Sequence, residues 1–220
     1  MPAEFDTIVS AALQIWRECD PLAVGSGAED AERYRPLFNA HGDHDVNLIA
    51  TEMNSDDPKH FRHQIIIEAD GPMHAVSRYL GEHPDHRYLD MHVLASLARA
   101  QLTVEPQVEV VSARLDRIYV NFDRLILPQR VLDQRPRWAV TIARPNLVFP
   151  LPVNPPAITR RESEILDFLI AGLSAKEIAR QVGLSPRTVE NAIASLKMKF
   201  RARNVTHLVS LAIAKRLAGA

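Results

Sequence analysis

A cluster of prolines divides this chain of 220 residues. Residues 145–156 read PNLVFPLPVNPP and hold five prolines in twelve positions. Each proline removes a backbone donor and fixes φ, so we expect neither a helix nor a central strand to persist in this stretch. The cluster predicts a stiff, extended linker at 145–156, a first domain at 1–144 and a second domain at 157–220. The length of the chain allows two domains of ordinary size.

The two sides of the linker differ in net charge. Residues 157–220 hold 11 Lys and Arg against 5 Asp and Glu, a net charge of +6, whereas residues 1–156 hold 15 against 22, a net charge of −7. The charge of the whole chain, −1, conceals this difference. A basic module on an acidic body is typical of a nucleic-acid-binding domain attached to a domain with another role.

Local composition excludes several classes of protein. No apolar run approaches the ~18 residues that span a bilayer, and the N-terminus lacks the layout of an export signal. We therefore expect a cytoplasmic protein without a membrane partner. The single cysteine, Cys19, cannot form an internal disulfide, and we interpret it as a buried, inert thiol.

The N-terminal part alternates between helical and extended patterns. Phe5, Ile8 and Ala12 recur at helical spacing, which predicts an amphipathic helix over 4–19. This order of helices and strands predicts an α+β fold with an antiparallel sheet. The other predicted elements are a helix at 28–39, strands at 46–53 and 61–69, helical segments over 73–100, and strands at 107–113, 116–126 and 138–143.

Three capping signals mark helix starts in the C-terminal part. Thr159 with Glu162 and Ser174 with Glu177 each have the spacing of a capping box, in which two residues satisfy each other's backbone N–H groups. Ser185, followed directly by a proline, predicts the start of a third helix.

Glycines end the first two of these helices. Gly172 and Gly183 can each take the left-handed conformation that closes a helix. Only Gly183 and Leu184 then separate the second helix from the cap of the third, and a fourth helix is predicted over 205–217. A short helix, a tight turn and a longer helix form a helix-turn-helix, so we predict an all-α domain of four helices.

The third helix has an apolar face and a polar face. Val189, Ile193, Leu196 and Phe200 recur at i, i+4, i+7 and i+11, which predicts that they enter the core. The opposite face is then free for the major groove of DNA, where Asn pairs with adenine and Arg with guanine. The predicted DNA-binding residues are Lys176, Arg180, Arg187, Thr188, Glu190, Asn191, Ala194, Lys197 and Lys199.

These residues have two expected roles. Lys176, Arg180, Thr188 and Lys199 are placed as phosphate anchors, because helix starts and long cationic side chains fix the register on DNA without reading its sequence. The other five lie on the face of the third helix that is expected to enter the groove.

Residues 158–217 resemble the LuxR-type helix-turn-helix domain of bacterial transcription regulators. The family pattern Leu-Thr-x-Arg-Glu-x-x-Val-Leu is matched by 158–166, Gly-x-Ser-x-x-Glu-Ile-Ala by 172–179, and Ser-x-x-Thr-Val by 185–189. The resemblance implies a transcription regulator that binds double-stranded DNA as a homodimer.

Two departures from the family pattern accompany this resemblance. Ala192 stands where the family usually has His, and Arg201 replaces a usual Gly. The resemblance also implies that bases are read mainly by Glu190, Asn191 and Ala194. The short, neutral Ala194 leaves the target sequence open.

Residues 117–128, RIYVNFDRLILP, resemble the late strands of PAS sensor domains, with their aromatic-Asp-Arg-aliphatic-Pro pattern. The resemblance implies a PAS-like sensor and dimerisation domain at the N-terminus. In such a domain the first helix would lie outside the sheet, where PAS proteins commonly pair.

The N-terminal pattern does not fit three other sensor classes. A phosphorylatable receiver needs a doubly wound parallel sheet, which this order of elements does not provide. An acyl-homoserine-lactone-binding domain has a spaced Trp, Tyr, Asp cluster, and the two tryptophans, Trp16 and Trp138, do not supply it. An ATPase needs a phosphate-binding loop that is missing from the sequence.

Histidines and arginines leave a ligand site as an alternative. Eight of nine histidines precede position 93. Three pairs have i, i+3 spacing, namely His41/His44, His60/His63 and His83/His86. A metal- or haem-binding sensor would use such pairs, but their polar, loop-like contexts favour surface histidines. We therefore predict no cofactor, no metal site and no enzymatic activity, and no cofactor-binding residue is identified.

The arginines have two interpretations. Arg114, Arg117 and Arg124, and also Arg135 with Arg137, could hold an anionic ligand, although solvent-facing arginines that alternate along strands are the commoner case.

A sigma factor is a further alternative, because its promoter-reading domain has a similar helix-turn-helix. The acidic, strand-bearing N-terminal half disfavours it, since a sigma factor needs a basic helical domain to melt DNA. The predicted partners are double-stranded DNA and a second copy of the chain, with RNA polymerase or a small-molecule ligand as further candidates.

Overall fold

The structure is a computed structural model that describes residues 5–22, 24–39, 45–70, 79–115, 117–132, 134–151 and 156–219. The predicted pair His41/His44 and the start of the helical segment predicted over 73–100 lie outside these residues. The chain divides into two compact units, Met1–Asp116 with Val120–Val148, and Arg117–Tyr119 with Phe149–Ala220.

The first unit begins with three helices, α1 (Phe5–Glu18), α2 (Gly27–Glu32) and α3 (Arg35–Asn39). The first confirms the predicted amphipathic helix. The single helix predicted over 28–39 is wrong, because two short helices occupy that range. Pro36 is the physical reason, since its ring clashes with the carbonyl four residues earlier and its nitrogen cannot donate to it.

Within the ranges that the structure describes, five strands form one sheet in the order β2-β1-β5-β4-β3. Their bounds are β1 (Asn47–Glu52), β2 (Arg62–Ile67), β3 (Gln107–Leu115), β4 (Ile118–Pro128) and β5 (Trp138–Pro150). β1 pairs antiparallel with both neighbours, so that Leu48 lies opposite Ile67 on one side and Ile142 on the other. The predicted α+β class with an antiparallel sheet is confirmed.

The last strand corrects the prediction for the proline cluster. β5 continues to Pro150, whereas no strand was expected to persist from Pro145 onward. The pairing of β5 with β1 ends at Ala143, opposite Asn47. Pro145 and Pro150 therefore lie beyond the part of β5 that pairs with β1. Proline is tolerated where a strand has no neighbour that needs its N–H. Residues 152–155 lie outside the described part of the chain.

The sheet has a hydrophobic core on each face. Successive strand residues point to opposite faces, so Leu125 and Leu127 of β4 enter one core while Ile126 enters the other. Helices α1 to α3 contribute Phe5, Ile8, Ala12, Ala31, Tyr34 and Phe38 to the first core.

The second core is formed with helices between β2 and β3. Those in the described part of the chain are a single 3-10 turn (Leu80–Glu82), α4 (His86–Tyr88), a π-helical segment (Leu89–Leu94) and α5 (Ala95–Thr103). Leu89 and Leu97 from these helices pack against Ile126 and other buried side chains of the sheet.

The described residues of the second unit form four helices, α6 (Arg160–Ile170), α7 (Ala175–Val182), α8 (Pro186–Phe200) and α9 (Val205–Gly219). The prediction of an all-α domain of four helices is confirmed. Their buried core is Ile165, Leu166, Leu169, Ile178, Ala179, Val182, Val189, Ile193, Leu196, Phe200, Leu208 and Ala212. Among the described residues, no helix has both the length and the apolar character that crossing a bilayer requires.

Candidate nucleic-acid interface

Side-chain caps fix the starts of α7 and α8. The Ser174 hydroxyl accepts from the backbone N–H of Glu177 at 3.4 Å, and the Glu177 carboxylate accepts from the Ser174 N–H at 2.8 Å. The Ser185 hydroxyl accepts from the N–H of Thr188 at 3.1 Å. These hydrogen bonds satisfy backbone groups that a helix start would otherwise leave unpaired, so each helix begins at a defined residue.

A short turn joins these two helices. Gly183 has a left-handed φ of 66°, and its N–H donates to the carbonyl of Ala179. The N–H of Leu184 donates to the same carbonyl at 3.0 Å. Since a side chain at this φ is strained, the glycine allows α8 to begin two residues later with Ser185 as its cap. The predicted helix-turn-helix is therefore present.

The polar face of α8 is open to solvent. Its apolar residues Val189, Ile193, Leu196 and Phe200 are all buried, as predicted. Of the nine predicted DNA-binding residues, eight are exposed and Lys197 is half-buried. The helix thus combines a packed side, which holds its position, with an outward side that carries base-reading residue types.

Lys199 has a protein partner. Its ammonium lies 2.7 Å from the carboxylate of Glu162, which is only 12% exposed and also accepts from the N–H of Thr159 at 2.8 Å. The hydrogen bonds from Lys199 and Thr159 lower the pKa of Glu162 to about 2. Lys199 therefore ties the end of α8 to the start of α6, a contact that was not foreseen for this predicted phosphate anchor.

Arg161 makes a second contact between helices. Its guanidinium lies 2.6 Å from the carboxylate of Glu164 and donates to the carbonyl of Val182, the last residue of α7. Arg161 belongs to the segment that resembles the family motif, but its link to Val182 was not predicted from the sequence. The contact satisfies a carbonyl that the end of a helix leaves without an intrahelical partner.

Arg201 closes α8 in a left-handed conformation. Its φ is 52° and its ψ is 36°, and its backbone N–H donates to the carbonyl of Met198 at 3.1 Å. The side chain is exposed. This is the residue that stands where the resembling family usually has Gly, so the structure gives this position the backbone conformation that glycine favours.

The first unit contains a buried arginine. The side chain of Arg124 is 6% exposed, and its guanidinium donates to Glu109 at 3.0 Å, to Ser96 at 2.9 Å and to the carbonyl of His92. The expectation of a solvent-facing arginine is therefore wrong at this position. The buried charge is matched by an acid and by two neutral acceptors, as a buried ion requires.

Histidines and a tyrosine lie near this arginine. His63 is in β2, within the strand predicted at 61–69, and its Nδ1 lies 2.8 Å from the Thr51 hydroxyl. Desolvation, with smaller effects from His83 and Arg124, lowers the pKa of His63 to about 4. The ring of Tyr88 lies between those of His83 and His92, with centroids 5.6 Å away on each side. Within the described ranges, no three His, Cys, Asp or Glu side chains are arranged to hold a metal.

A second cluster of polar side chains lies between α2 and the sheet. The indole of Trp138 donates to the Asp30 carboxylate at 3.3 Å across 108 residues of sequence. Cys19 is buried, and burial raises the pKa of its thiol and that of Asp30. Burial and the nearby Asp30 also raise the pKa of Tyr34. A Trp, an Asp and a Tyr whose sequence spacing indicated no cluster thus lie near one another in the fold.

The C-terminal unit matches a known family. Residues 156–212 match the model of the family described as bacterial regulatory proteins, luxR family. The transcriptional regulatory protein FixJ of Rhizobium meliloti (strain 1021) is 40% identical over 57 residues, which are 26% of this chain and 28% of FixJ. The chain thus matches little more than a quarter of the length of this relative.

Two solved structures have a distant overall similarity. A structure of the Vibrio cholerae VqmA dimer in the absence of target DNA is 19% identical, covers 56% of this chain and 63% of VqmA, and has a TM-score of 0.29. A structure of Escherichia coli SdiA is 15% identical, covers 97% of this chain and 99% of SdiA, and has a TM-score of 0.28.

The family match and the geometry concern the same residues. The matched segment contains all of α6, α7 and α8 and about half of α9, together with the two capping boxes and the turn at Gly183. Residues 156–212 of this chain thus fold as a helix-turn-helix domain and are similar in sequence to the luxR family of bacterial regulatory proteins.

Proposed function

We propose that this chain is a sequence-specific transcription regulator that binds double-stranded DNA through α7 and α8. The observation that carries the proposal is the outward face of α8, where Arg187, Glu190, Asn191 and Ala194 are exposed opposite a fully buried apolar face. A helix with this division fits the major groove, where such side chains distinguish base pairs.

The charge of the chain supports the same role. The basic excess lies in the segment that contains the helix-turn-helix, whereas the rest of the chain is acidic. Cationic side chains replace the counterions of DNA and supply most of the non-specific affinity. Lys176 and Arg180 on α7 and Thr188 at the start of α8 are exposed and are proposed to contact phosphates.

The N-terminal unit is proposed to be the sensor. Its five-stranded antiparallel sheet carries helices on both faces, which is compatible with a PAS-like domain that receives a small-molecule or partner-protein signal. We propose domain bounds of 1–144 and 157–220, joined by the proline-rich residues 145–156. The proposed role involves binding only, without catalysis.

A homodimer is the proposed binding unit. Dimers of helix-turn-helix proteins place two recognition helices in successive major grooves, so a roughly palindromic operator with half-sites about one helical turn apart is expected. Contact with RNA polymerase would then convert DNA binding into regulation. A regulator of this kind acts in the cytoplasm, where its DNA is.

Selection of DNA by the full-length chain tests the proposal. The protein is incubated with a random-site duplex library, bound fragments are sequenced, and the affinity for the enriched site is measured at several salt concentrations. We expect a palindromic site and an affinity that falls steeply as salt rises. Asn191→Ala should weaken binding by about five- to 150-fold for each half-site, because each bidentate base contact is worth about 1–3 kcal/mol.

Asn146→Ala is the matched control. Asn146 is an exposed asparagine in β5 whose amide donates to Asn121 at 3.3 Å, so the same substitution is made far from α8 in the sequence. It should leave the enriched site and its affinity unchanged. Shallow, sequence-indifferent binding by the unmodified chain would refute the proposal, as would an Asn191→Ala variant that selects the same site with equal affinity.

A further inference from the structure

The backbone conformation that ends α8 costs free energy. Arg201 and Val104 are the non-glycine residues with positive φ in the described part of the chain. A side chain in the left-handed region costs free energy because its Cβ crowds the backbone. Glycine avoids this cost, as it does at Gly172 and Gly183 after α6 and α7. Of the ends of α6, α7 and α8, only that of α8 is closed by a large, charged side chain.

Arg201 lies directly after Phe200, the last residue of α8. Its left-handed φ takes the backbone out of the helix, and its side chain is exposed. Arg201 is eleven positions beyond Glu190, or ~16 Å along the helix axis. This distance exceeds the ~12 Å width of the major groove. An exposed cation at the end of α8 is therefore placed for a flanking phosphate rather than for a base edge.

Lys199, two positions before Arg201, is already paired within the protein. Lys199 is held 2.7 Å from the carboxylate of Glu162, which offsets its positive charge. Arg201 is exposed, and its planar guanidinium suits phosphate recognition better than an ammonium does.

We propose that Arg201 is a phosphate-contacting residue of this chain and holds the C-terminal end of α8 against the DNA backbone. The strained conformation is retained at this position because the side chain contributes to DNA affinity. The inference rests on the proposed DNA-binding function and adds to it a residue that the family pattern does not supply.

Two substitutions separate strain from charge. Arg201→Gln removes the charge and keeps the left-handed strain, whereas Arg201→Gly removes both. Both variants of the full chain should bind a 30-base-pair random-sequence duplex about three- to tenfold more weakly, with a slope of log affinity against log salt that is smaller by about 0.9 for each bound copy. Only Arg201→Gly should raise the melting temperature, by a few degrees.

Arg160→Gln is the control for net charge. Arg160 is an exposed cation at the first position of α6, outside the proposed interface. The Arg160→Gln variant should change the slope of log affinity against log salt by much less than the Arg201 variants do. If the unmodified chain does not bind duplex DNA at all, the proposed function itself fails. If it binds with a steep slope and both Arg201 variants keep that slope, the proposed function stands and the role of Arg201 is refuted.

Discussion

Glu162 and Lys199 lie 37 positions apart in the sequence, yet the carboxylate of one is 2.7 Å from the ammonium of the other. The same carboxylate accepts from the N–H of Thr159 and so closes the capping box of α6. One acidic side chain therefore holds both the start of the first helix of the domain and the end of the helix proposed to read DNA.

Replacing Glu162 should lower stability at neutral pH and leave less stability to be lost at acidic pH. Because the folded pKa of about 2 lies below the ordinary value of 4.5, the stabilisation is fully present above pH 4.5 and is lost as pH falls toward 2. Glu162→Gln should cost about 1 kcal/mol at neutral pH, since the glutamine can still cap the helix but cannot pair with Lys199. Thermal unfolding of the full chain between pH 2 and pH 7 measures both effects.

Glu177→Gln is the control for this prediction. Glu177 closes the capping box of α7 with Ser174, and hydrogen bonds with Ser174 are the main cause of its lowered pKa. The control should cost less stability than Glu162→Gln does. Equal losses for the two variants would show that the pair with Lys199 contributes nothing measurable.

Removing the buried guanidinium of Arg124 should destabilise the first unit. Arg124→Met leaves the carboxylate of Glu109 without its cation in a partly buried site, and breaking a buried ion pair typically costs about 3–5 kcal/mol. Urea unfolding measures the loss. Arg135→Gln is the control, because its pair with Asp56 is solvent-exposed at 3.9 Å and should contribute less than about 1 kcal/mol. A loss for Arg124→Met as small as that of the control would contradict the prediction.

His63 should contribute to the pH dependence in a different range. Its folded pKa of about 4 lies below the ordinary 6.5, so the unfolded chain binds the proton first and stability falls as pH drops from 6.5 toward 4. His63→Gln should flatten the stability curve within that range. His60→Gln, the same change at an exposed histidine, is the matched control for loss of a histidine. An NMR titration in which the His63 ring protonates near pH 6.5 would refute the assignment.

Gly183→Ala should destabilise the helix-turn-helix. The added Cβ meets no atom within 4 Å, so the expected loss of about 1 kcal/mol comes from the left-handed φ of 66° alone. Gly172→Ala, at a φ of 86° with similar open space, should behave alike. Chemical denaturation compares the two, and an unchanged stability in both would show that neither conformation is strained for alanine.

Much of the C-terminal domain could be predicted because its signals are local. A cap such as Ser174 with Glu177, or a closing residue such as Gly183, acts within a few positions and needs no knowledge of the rest of the fold. The buried row of α8 follows from helical spacing for the same reason. The contact from Lys199 to Glu162 joins two helices, and no periodicity within one helix indicates it.

The N-terminal unit was harder to predict because its important contacts span long stretches of sequence. Arg124 had the alternation of an exposed strand residue, but α5 and β3 supply Ser96 and Glu109 as partners that enclose it. The end of β5 differs from the prediction for a related reason. Whether a proline such as Pro145 breaks a strand depends on whether a neighbouring strand needs its N–H, which only the sheet order shows.

The alternation of β4 between two cores has a consequence for changes in chain length. Leu125 and Leu127 face one core and Ile126 faces the other, so deleting a single residue within β4 would exchange the two sets and turn Arg124 toward an apolar core. Insertions and deletions in β4 should therefore be excluded among functional variants of this chain.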